Sequence, residues 1–413
     1  MGRPVIDRAA ATSPFAFPLF RAVWAASTAS HAGGLIQSVG ASWMMLSLAH
    51  SAKLVALVQT AATLPIVLFS LFAGAVADGH DRRHVMIVAQ VFMLLVAAGL
   101  AILATRDLLT PALVLGGTFL IGCGSAFHAP AWQASVGDLV PRPVVPAAIV
   151  ANGLGFNLSR TVSPAIGGLV VAVAGASAAF LVNAISYLGL IVVLLRWRSG
   201  VGDAPVRQAI VASMLGGVRH AIASPPLRVA MVRAGVFGTM SSAVLALMPL
   251  VARDLVGGGA SVYGTLLGLF GVGSILGSFA NRRLRRALSS ERIVRIASLA
   301  VAGGAIGIGA EAGFVVTATA LVAAGAGTVL ALSTFNVVVQ MSAPRAVLAR
   351  SLALYQMATF AGIALGSSVF GIVAQHHGVA VALFAAAALQ VSIMPLGIRW
   401  AMPDQFEPQR CAE

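Results

Sequence analysis

The sequence predicts an all-α integral membrane protein, with twelve transmembrane helices arranged as two pseudo-symmetric six-helix bundles. Three observations predict it. The 413-residue chain is 59% hydrophobic and only 9% charged, with a mean hydropathy of +0.95. Soluble domains carry about 25% charged residues, so this chain cannot cover a water-facing surface, and hydrocarbon is the solvent that fits. The apolar residues also come in runs of the ~20 residues a helix needs to cross a ~30 Å hydrocarbon core. Finally, the two halves of the chain carry the same short motifs at one offset.

In chain order the runs are 22–48, 54–77, 84–104, 111–133, 147–172 and 177–195, then 229–251, 262–280, 292–310, 313–336, 352–374 and 379–400. Backbone groups in lipid must be satisfied internally, which leaves helices or closed barrels. These runs are too long and too continuously apolar for alternating barrel strands. The first run follows Arg3, Asp7 and Arg8, is too long for the apolar core of a cleaved signal, and is expected to stay as a span. The 44 glycines, with alanine and serine, supply small side chains for close helix approach.

The basic residues set the orientation. With a cytoplasmic N-terminus, Lys53, Arg106 and Arg253 fall outside, Arg160 falls within a span, and the remaining Lys and Arg lie on the cytoplasmic side. That asymmetry predicts a multi-pass protein of a bacterial inner membrane with both termini cytoplasmic. It also accounts for the net charge of +14, which sits between apolar runs and not on one soluble face; nucleic acid is not an expected partner. Cys123 lies in an apolar run and Cys411 in the tail, a usage that suggests neither a disulfide nor a cysteine metal site.

The longest polar interruption, 196–228, divides an N-terminal bundle (1–195) from a C-terminal one (229–413). Within it Ile210, Val211, Met214, Leu215, Val218 and Ile222 follow helical spacing beside Arg207, Arg219 and His220. That pattern predicts a short amphipathic helix on the cytoplasmic face, with a disordered linker as the alternative. Gly74-Ala-Val-Ala-Asp78-Gly-His-Asp-Arg82-Arg83 recurs as Gly277-Ser-Phe-Ala-Asn281-Arg-Arg-Leu-Arg285-Arg286, and Val140-Pro141-Arg142 recurs as Ala343-Pro344-Arg345. Both repeats keep one offset, so the halves read as a duplication, a known transporter plan with the substrate site between them.

These motifs resemble the major facilitator superfamily along nearly the whole chain. Gly74–Arg83 is similar to its loop-2/3 signature, with Gly79 where a basic residue is usual. Asn157-Leu-Ser-Arg160-Thr-Val-Ser-Pro164-Ala-Ile-Gly167-Gly168 resembles the span-5 motif of antiporters, with Ser163 in place of the usual glycine. Gln340-Met-Ser-Ala-Pro344-Arg345, then Arg350-Ser-Leu-Ala-Leu-Tyr355-Gln356, is similar to the branch that exports drugs and siderophores such as enterobactin. Ser30-His-Ala-Gly33-Gly34-Leu-Ile-Gln37 looks like the same branch, although many members carry an acid where this chain has Gly34.

The resemblance implies a central cavity between the bundles, lined by spans 1, 4, 5, 7, 8, 10 and 11. It makes Gly74, Asp78, Arg82 and Arg83 a gating motif, with Asp78 accepting hydrogen bonds at the start of span 11 when the cytoplasmic side is closed. Such a contact biases a two-state equilibrium; the other reading of the arginines is that they only anchor topology. Asn281 replaces the acid in the second half.

Arg160 is the only strong base placed well inside a span. A charge there costs about 2.5–3.5 kcal/mol on the insertion scale, so it is expected to face the protein interior. It either meets an anionic substrate or moving proton, or is structural. Pro164, Gly167 and Gly168 are expected to bend and tightly pack span 5. No acid can be placed at mid-membrane, which leaves His31 and His128 as proton-relay candidates, or as neutral imidazoles bonded to a neighbouring helix. Gln37, Asn152, Asn336 and Gln356 are cavity candidates or interhelical polar contacts.

No nucleophile elbow, phosphate-cradling loop or zinc-protease motif occurs in the sequence, so no catalytic residue, metal or cofactor is expected. The expected function is a secondary active transporter that exports a small amphipathic solute (drug, siderophore or metabolite) by alternating access, with proton antiport an open question. An importer, a lipid flippase or a non-transporting membrane component are the alternatives. Expected partners are the solute, membrane lipid and, if coupled, protons; a monomer is expected.

Overall fold

The computed structural model describes residues 13–49, 51–197, 219, 223–344, 347–395, 397 and 400–402, without the side chains of Leu71, Asp78, Asn157, Arg282 and Ala349. Apart from Arg219, the predicted amphipathic helix lies outside the described residues, as do Arg345 and the two tails. The described residues are almost entirely helical and contain no strand.

The helices are α1 (Pro18–Leu48), α2 (Ala52–Gly79), α3 (Arg82–Thr105) and α4 (Pro111–Ser135). The next helical stretch, Val145–Arg196, breaks at Gly175 (φ 79°, ψ 171°) into α5 (145–174) and α6 (176–196). Positive φ at no steric cost is what glycine supplies, and here it reverses the chain without a loop. The second half contains α7 (Pro225–Ala246), α8 (Ala260–Ala287), α9 (Ser290–Gly309), α10 (Phe314–Ser342), α11 (Leu348–His377) and α12 (Val379–Ser392). A short helix and a π-helical turn carry α7 on to Leu255.

Nine helical stretches among the described residues are long and apolar enough to cross a membrane, one of them being the 55-residue stretch that bends at Gly175. α12 is a shorter apolar helix. α1 is long enough but is diluted by Ser27, Thr28, Ser30, His31 and Gln37. Twelve segments are therefore consistent with the predicted count. The ends are capped locally. Asp81 accepts from the Arg83 N–H at 2.9 Å to start α3, Thr110 precedes Pro111 at the start of α4, and Ser289 caps α9.

The chain divides into two compact units, Met1–Ala41 with Leu68–Arg207, and Ser42–Val67 with Gln208–Glu413. The predicted linker lies mostly outside the described residues, and the end of α1 with the first part of α2 counts with the second unit. Each unit has its own core. In the first, Met86, Ala131, Trp132, Leu190 and Leu194 are buried together; in the second, Phe237, Val301, Phe335, Val339 and Tyr355. Large apolar side chains such as Val88, Leu95, Val173 and Phe279 are exposed instead, as expected of surfaces turned to lipid.

Small residues set the helix pairing. In unit 1, α1 and α6 run antiparallel, with Gly40 against Ala179, and α1 and α5 run parallel, with Gly167 against Ile36 and Val39. Unit 2 repeats the parallel pair in α7 and α11, where Gly235 lies against Ala358 and Gly366 against Thr239. In both halves the backbones approach because no Cβ intervenes. Within unit 2, the Thr60 hydroxyl meets the Ala364 carbonyl at 3.1 Å and the Ser367 and Ser368 hydroxyls at 2.9 Å, tying α2 to α11.

Candidate functional site

The parallel packing of α1 on α5 builds a polar wall in unit 1. The Trp24 indole N–H donates to the Ala151 carbonyl at 3.0 Å, and the Ser159 hydroxyl donates to the Thr28 carbonyl at 3.3 Å. Between them Gly155 leaves room for Thr28, since a Cβ there would come 2.8 Å from its hydroxyl. This register lays the His31 ring flat on Phe156, with centroids 4.3 Å apart. Arg160, one turn beyond Phe156, lies within electrostatic reach of His31, and His31 within reach of His128 on α4.

Ser27, Ser30 and His31 share one face of α1 by their helical spacing. From that face Ser30 donates to the Gln90 side-chain oxygen on α3 at 3.4 Å. Four buried polar atoms of this wall have no hydrogen-bond partner among the described residues: Ser27 Oγ, His31 Nε2, Gln90 Nε2 and His128 Nδ1. Buried polar atoms in native proteins are nearly always satisfied, so this group stands out from the rest of the bundle. Sequence reading picked out His31, His128 and Arg160 but missed Ser27 and Gln90. A glutamine in an apolar run was a signal available in the sequence.

The other cavity candidates have partners of their own. Gln37 is 3% exposed and accepts a short hydrogen bond from Asn183, joining α1 to α6. Asn152 accepts from the Trp132 indole at 2.9 Å, joining α5 to α4. In unit 2, Asn336 accepts from Gln340 at 2.5 Å on the same helix, while Gln356 is exposed on α11. Pro164 sits inside continuous helix; the non-helical backbone of that stretch is at Gly175, while Gly167 and Gly168 are buried.

At the loop-2/3 signature, Arg82 donates to the Ala134 carbonyl at 3.0 Å and pairs with Asp138 at 2.9 Å. Arg83 donates to the Leu194 and Leu195 carbonyls, at 2.8 and 3.1 Å, at the C-terminal end of α6. A cation at the last carbonyls opposes the negative end of the helix dipole. The repeat has a counterpart in geometry too, because Arg285, which matches Arg82, donates to the Ser333 carbonyl of α10 at 2.7 Å and to Asn281 at 2.9 Å. Gly74 has open space where a Cβ would stand. Asp78 ends α2, and its side chain lies outside the described residues.

Sequence reading also missed a buried charge cluster in unit 2. Arg233 of α7 pairs with Glu291 of α9, Arg295 binds the same carboxylate at 2.9 Å, and the Met402 N–H donates to it at 3.2 Å. The partners are far apart in sequence, so no local motif announces them. No group of three His, Cys, Asp or Glu able to hold a metal ion occurs among the described residues.

Comparison with known proteins fits this architecture. The family profile described as transmembrane secretion effector matches residues 9–410. The multidrug efflux pump Tap of Mycolicibacterium fortuitum is 27% identical over 397 residues, 92% of this chain and 94% of that protein. The staphyloferrin A transporter of Staphylococcus aureus is 31% identical over 156 residues, which cover 38% of this chain and only 39% of that relative. Macrolide efflux protein A of Streptococcus pyogenes is 27% identical over 37% of this chain and 38% of its own length. The crystal structure of an inward-facing bacterial homolog of the human lysosomal transporter Spinster superposes with a TM-score of 0.73 at 13% identity, covering 94% of this chain and 98% of that one. The nucleoside transporter NupG (D323A mutant) gives 0.72 at 12% identity, with coverage of 93% and 100%. At such identities these two structures establish a shared transporter fold.

Proposed function

Because the chain belongs to the transmembrane secretion effector family, a major facilitator group of membrane transporters and not of enzymes, we propose that it exports a small amphipathic solute from the cytoplasm by alternating access. The observation that carries this reading is the end-to-end likeness to a multidrug efflux pump. Partial likeness to a macrolide efflux protein supports the same direction, and partial likeness to a siderophore transporter supports carriage of a small solute. The solute is a drug, a siderophore or another metabolite of that character.

The carrier works as a monomer in a bacterial inner membrane, with both termini cytoplasmic, a reading that the arginine asymmetry supports. Proton antiport drives it, with His31 and His128 exchanging the proton, since imidazole is the side chain that titrates near neutral pH. Asp78, Arg82 and Arg83 bias the cytoplasmic gate, and Gln37, Asn152, Arg160, Asn336 and Gln356 support or line the path.

The test is solute retention in cells with and without the gene, followed by counterflow and pH-gradient uptake in proteoliposomes. Export requires greater retention of at least one dye or drug on deletion, and antiport requires that an imposed proton gradient accelerate movement. Lower retention on deletion would make the protein an importer. Failure of every solute to show counterflow would remove the carrier reading.

A further inference from the structure

We propose that the outer face of α9 binds an anionic phospholipid, with Arg292 and Arg295 taking its phosphate and the apolar stripe beyond them taking an acyl chain. The site lies within unit 2 and does not depend on the carrier reading. Helical spacing sets the stripe. Arg292, Ile296, Leu299, Gly303 and Ile306 fall on one face of α9, and all five are exposed. On one flank Gly304 and Gly307 pack against Ala320 of α10; on the other, Gly309 packs against Ala380 and Phe384 of α12. Gly303 has open space where a Cβ would stand, which leaves a notch between these neighbours. From Arg292 to Gly303 the helix rises about 16 Å, the depth of one leaflet of a ~30 Å core.

The charge at the head of the stripe selects the lipid. Arg295 lies one turn from Arg292 at the edge of the same face. Glu291 holds the Arg295 guanidinium at 2.9 Å while also pairing with Arg233. Two guanidiniums on one carboxylate leave one positive charge in that cluster, and Arg292 adds a second beside it. Among the described residues no acid pairs with Arg292, and the other acids of unit 2, Asp254 and Glu311, lie at the far ends of α7 and α9. Like charges one turn apart destabilise a helix, and an anion between them relieves that cost. The forked guanidinium matches phosphate oxygens. The apolar stripe running from the arginines asks for a phosphate that carries a chain, not for a free ion. Trp400 marks the level: it is exposed, and its carbonyl accepts from Arg233 at 3.2 Å. Tryptophan collects at the boundary between headgroups and hydrocarbon.

The third helix of the first half supplies a contrast. α3 also presents an apolar outer stripe, with Val88, Leu95 and Ile102 exposed. The basic groups at its start are occupied, Arg82 by Asp138, Arg83 by the last carbonyls of α6 and His84 by Asp81 at 2.9 Å. Lipid along α3 is solvent, whereas along α9 its headgroup meets cations that the protein does not neutralise.

The test is native mass spectrometry of the purified full-length protein, titrated in detergent with dioleoylphosphatidylglycerol or dioleoylphosphatidylcholine. The two lipids share their chains and differ in headgroup charge. Wild type is expected to hold its first phosphatidylglycerol about tenfold more tightly than phosphatidylcholine. Arg292→Gln should reduce that preference about fivefold, and Arg292→Lys should keep most of it. Arg106→Gln removes an exposed arginine at the far end of α3 and should leave the preference unchanged. Inorganic phosphate and glycerophosphoglycerol, the same headgroup without chains, should not displace the lipid at equal concentration. Equal retention of the two lipids, an Arg292→Gln variant with wild-type preference, or an equal loss in Arg106→Gln overturns the site. Displacement by either chainless phosphate overturns the lipid as its occupant.

Discussion

Arg233 grips Glu291 with both prongs of its guanidinium, Nη1 on Oε2 and Nη2 on Oε1 at 3.2 Å, across the α7–α9 interface. The two side chains are only 10% and 12% exposed. Arg233 also donates to the Trp400 carbonyl at 3.2 Å, so the pair holds the segment that follows α12. One carboxylate thus joins two helices and the end of the described chain.

Arg233→Met should therefore lower stability by about 3 kcal/mol, the lower end for breaking a buried pair, because Arg295 still faces Glu291. Arg233→Met with Glu291→Leu should recover part of that loss, since the one charge then left without its partner, Arg295, is 39% exposed and reaches water. Thermal unfolding of the detergent-solubilised protein reads both, and an Arg233→Met melting curve superimposable on wild type contradicts the structural role.

Arg83 and Asp138 should behave differently although both belong to the loop signature network. Arg83→Gln removes a charged donor from two carbonyls at the end of α6 and should cost about 1.5–3 kcal/mol. Asp138→Asn breaks an ion pair whose acid is 53% exposed and should change stability by less than about 1 kcal/mol. Hydrogen exchange at the end of α6 should quicken in the first variant only; equal protection in both would remove the capping role of Arg83.

The α3 N-terminus should be sensitive to acid. Burial raises the Asp81 carboxyl, but the hydrogen bonds from the His84 ring and the Arg83 N–H outweigh it and hold the group below its usual range. A depressed carboxylate stabilises the fold above the ordinary value of about 4 and loses that contribution as pH falls through its folded pKa. Asp81→Ala should thus cost about 1 kcal/mol at neutral pH, as for a lost cap, and the gap from wild type should close in acid. A gap that stays constant from neutral pH to acid would show that the charge of Asp81 is irrelevant.

Two glycines should answer oppositely to substitution. A Cβ on Gly362 would land on the Gly235 carbonyl oxygen, whereas one on Gly116 would meet nothing within 4 Å. Gly362→Ala should reduce stability by about 1–3 kcal/mol as α7 and α11 are pushed apart. Gly116→Ala should be neutral or stabilising by up to about 1 kcal/mol, because alanine is the better helix former. Folded yield and melting temperature distinguish them, and equal tolerance at both positions would contradict the α7–α11 contact.

The sequence by itself determined the solvent, the helical class, the positions of the spans and the duplication, because each is written in local composition. Apolar runs must bury their backbone bonds internally, and arginines between runs anchor the ends. It also singled out His31, His128 and Arg160, since a polar group in an apolar run is conspicuous wherever it folds. Boundaries followed less well: α10 runs to Ser342 and α12 stops at Ser392, because helix ends depend on caps and neighbours.

Only the tertiary structure decided which polar groups meet. Gln37 and Asn152 look alike in sequence to Gln90, yet the first two are paired with Asn183 and Trp132, while the amide of Gln90 is left open. Glu291 reads as a surface acid at a helix start until α7 brings Arg233 to it from 58 residues away. Partnership is a property of register between helices, and register is set by small residues at the crossings, which no single stretch of sequence contains.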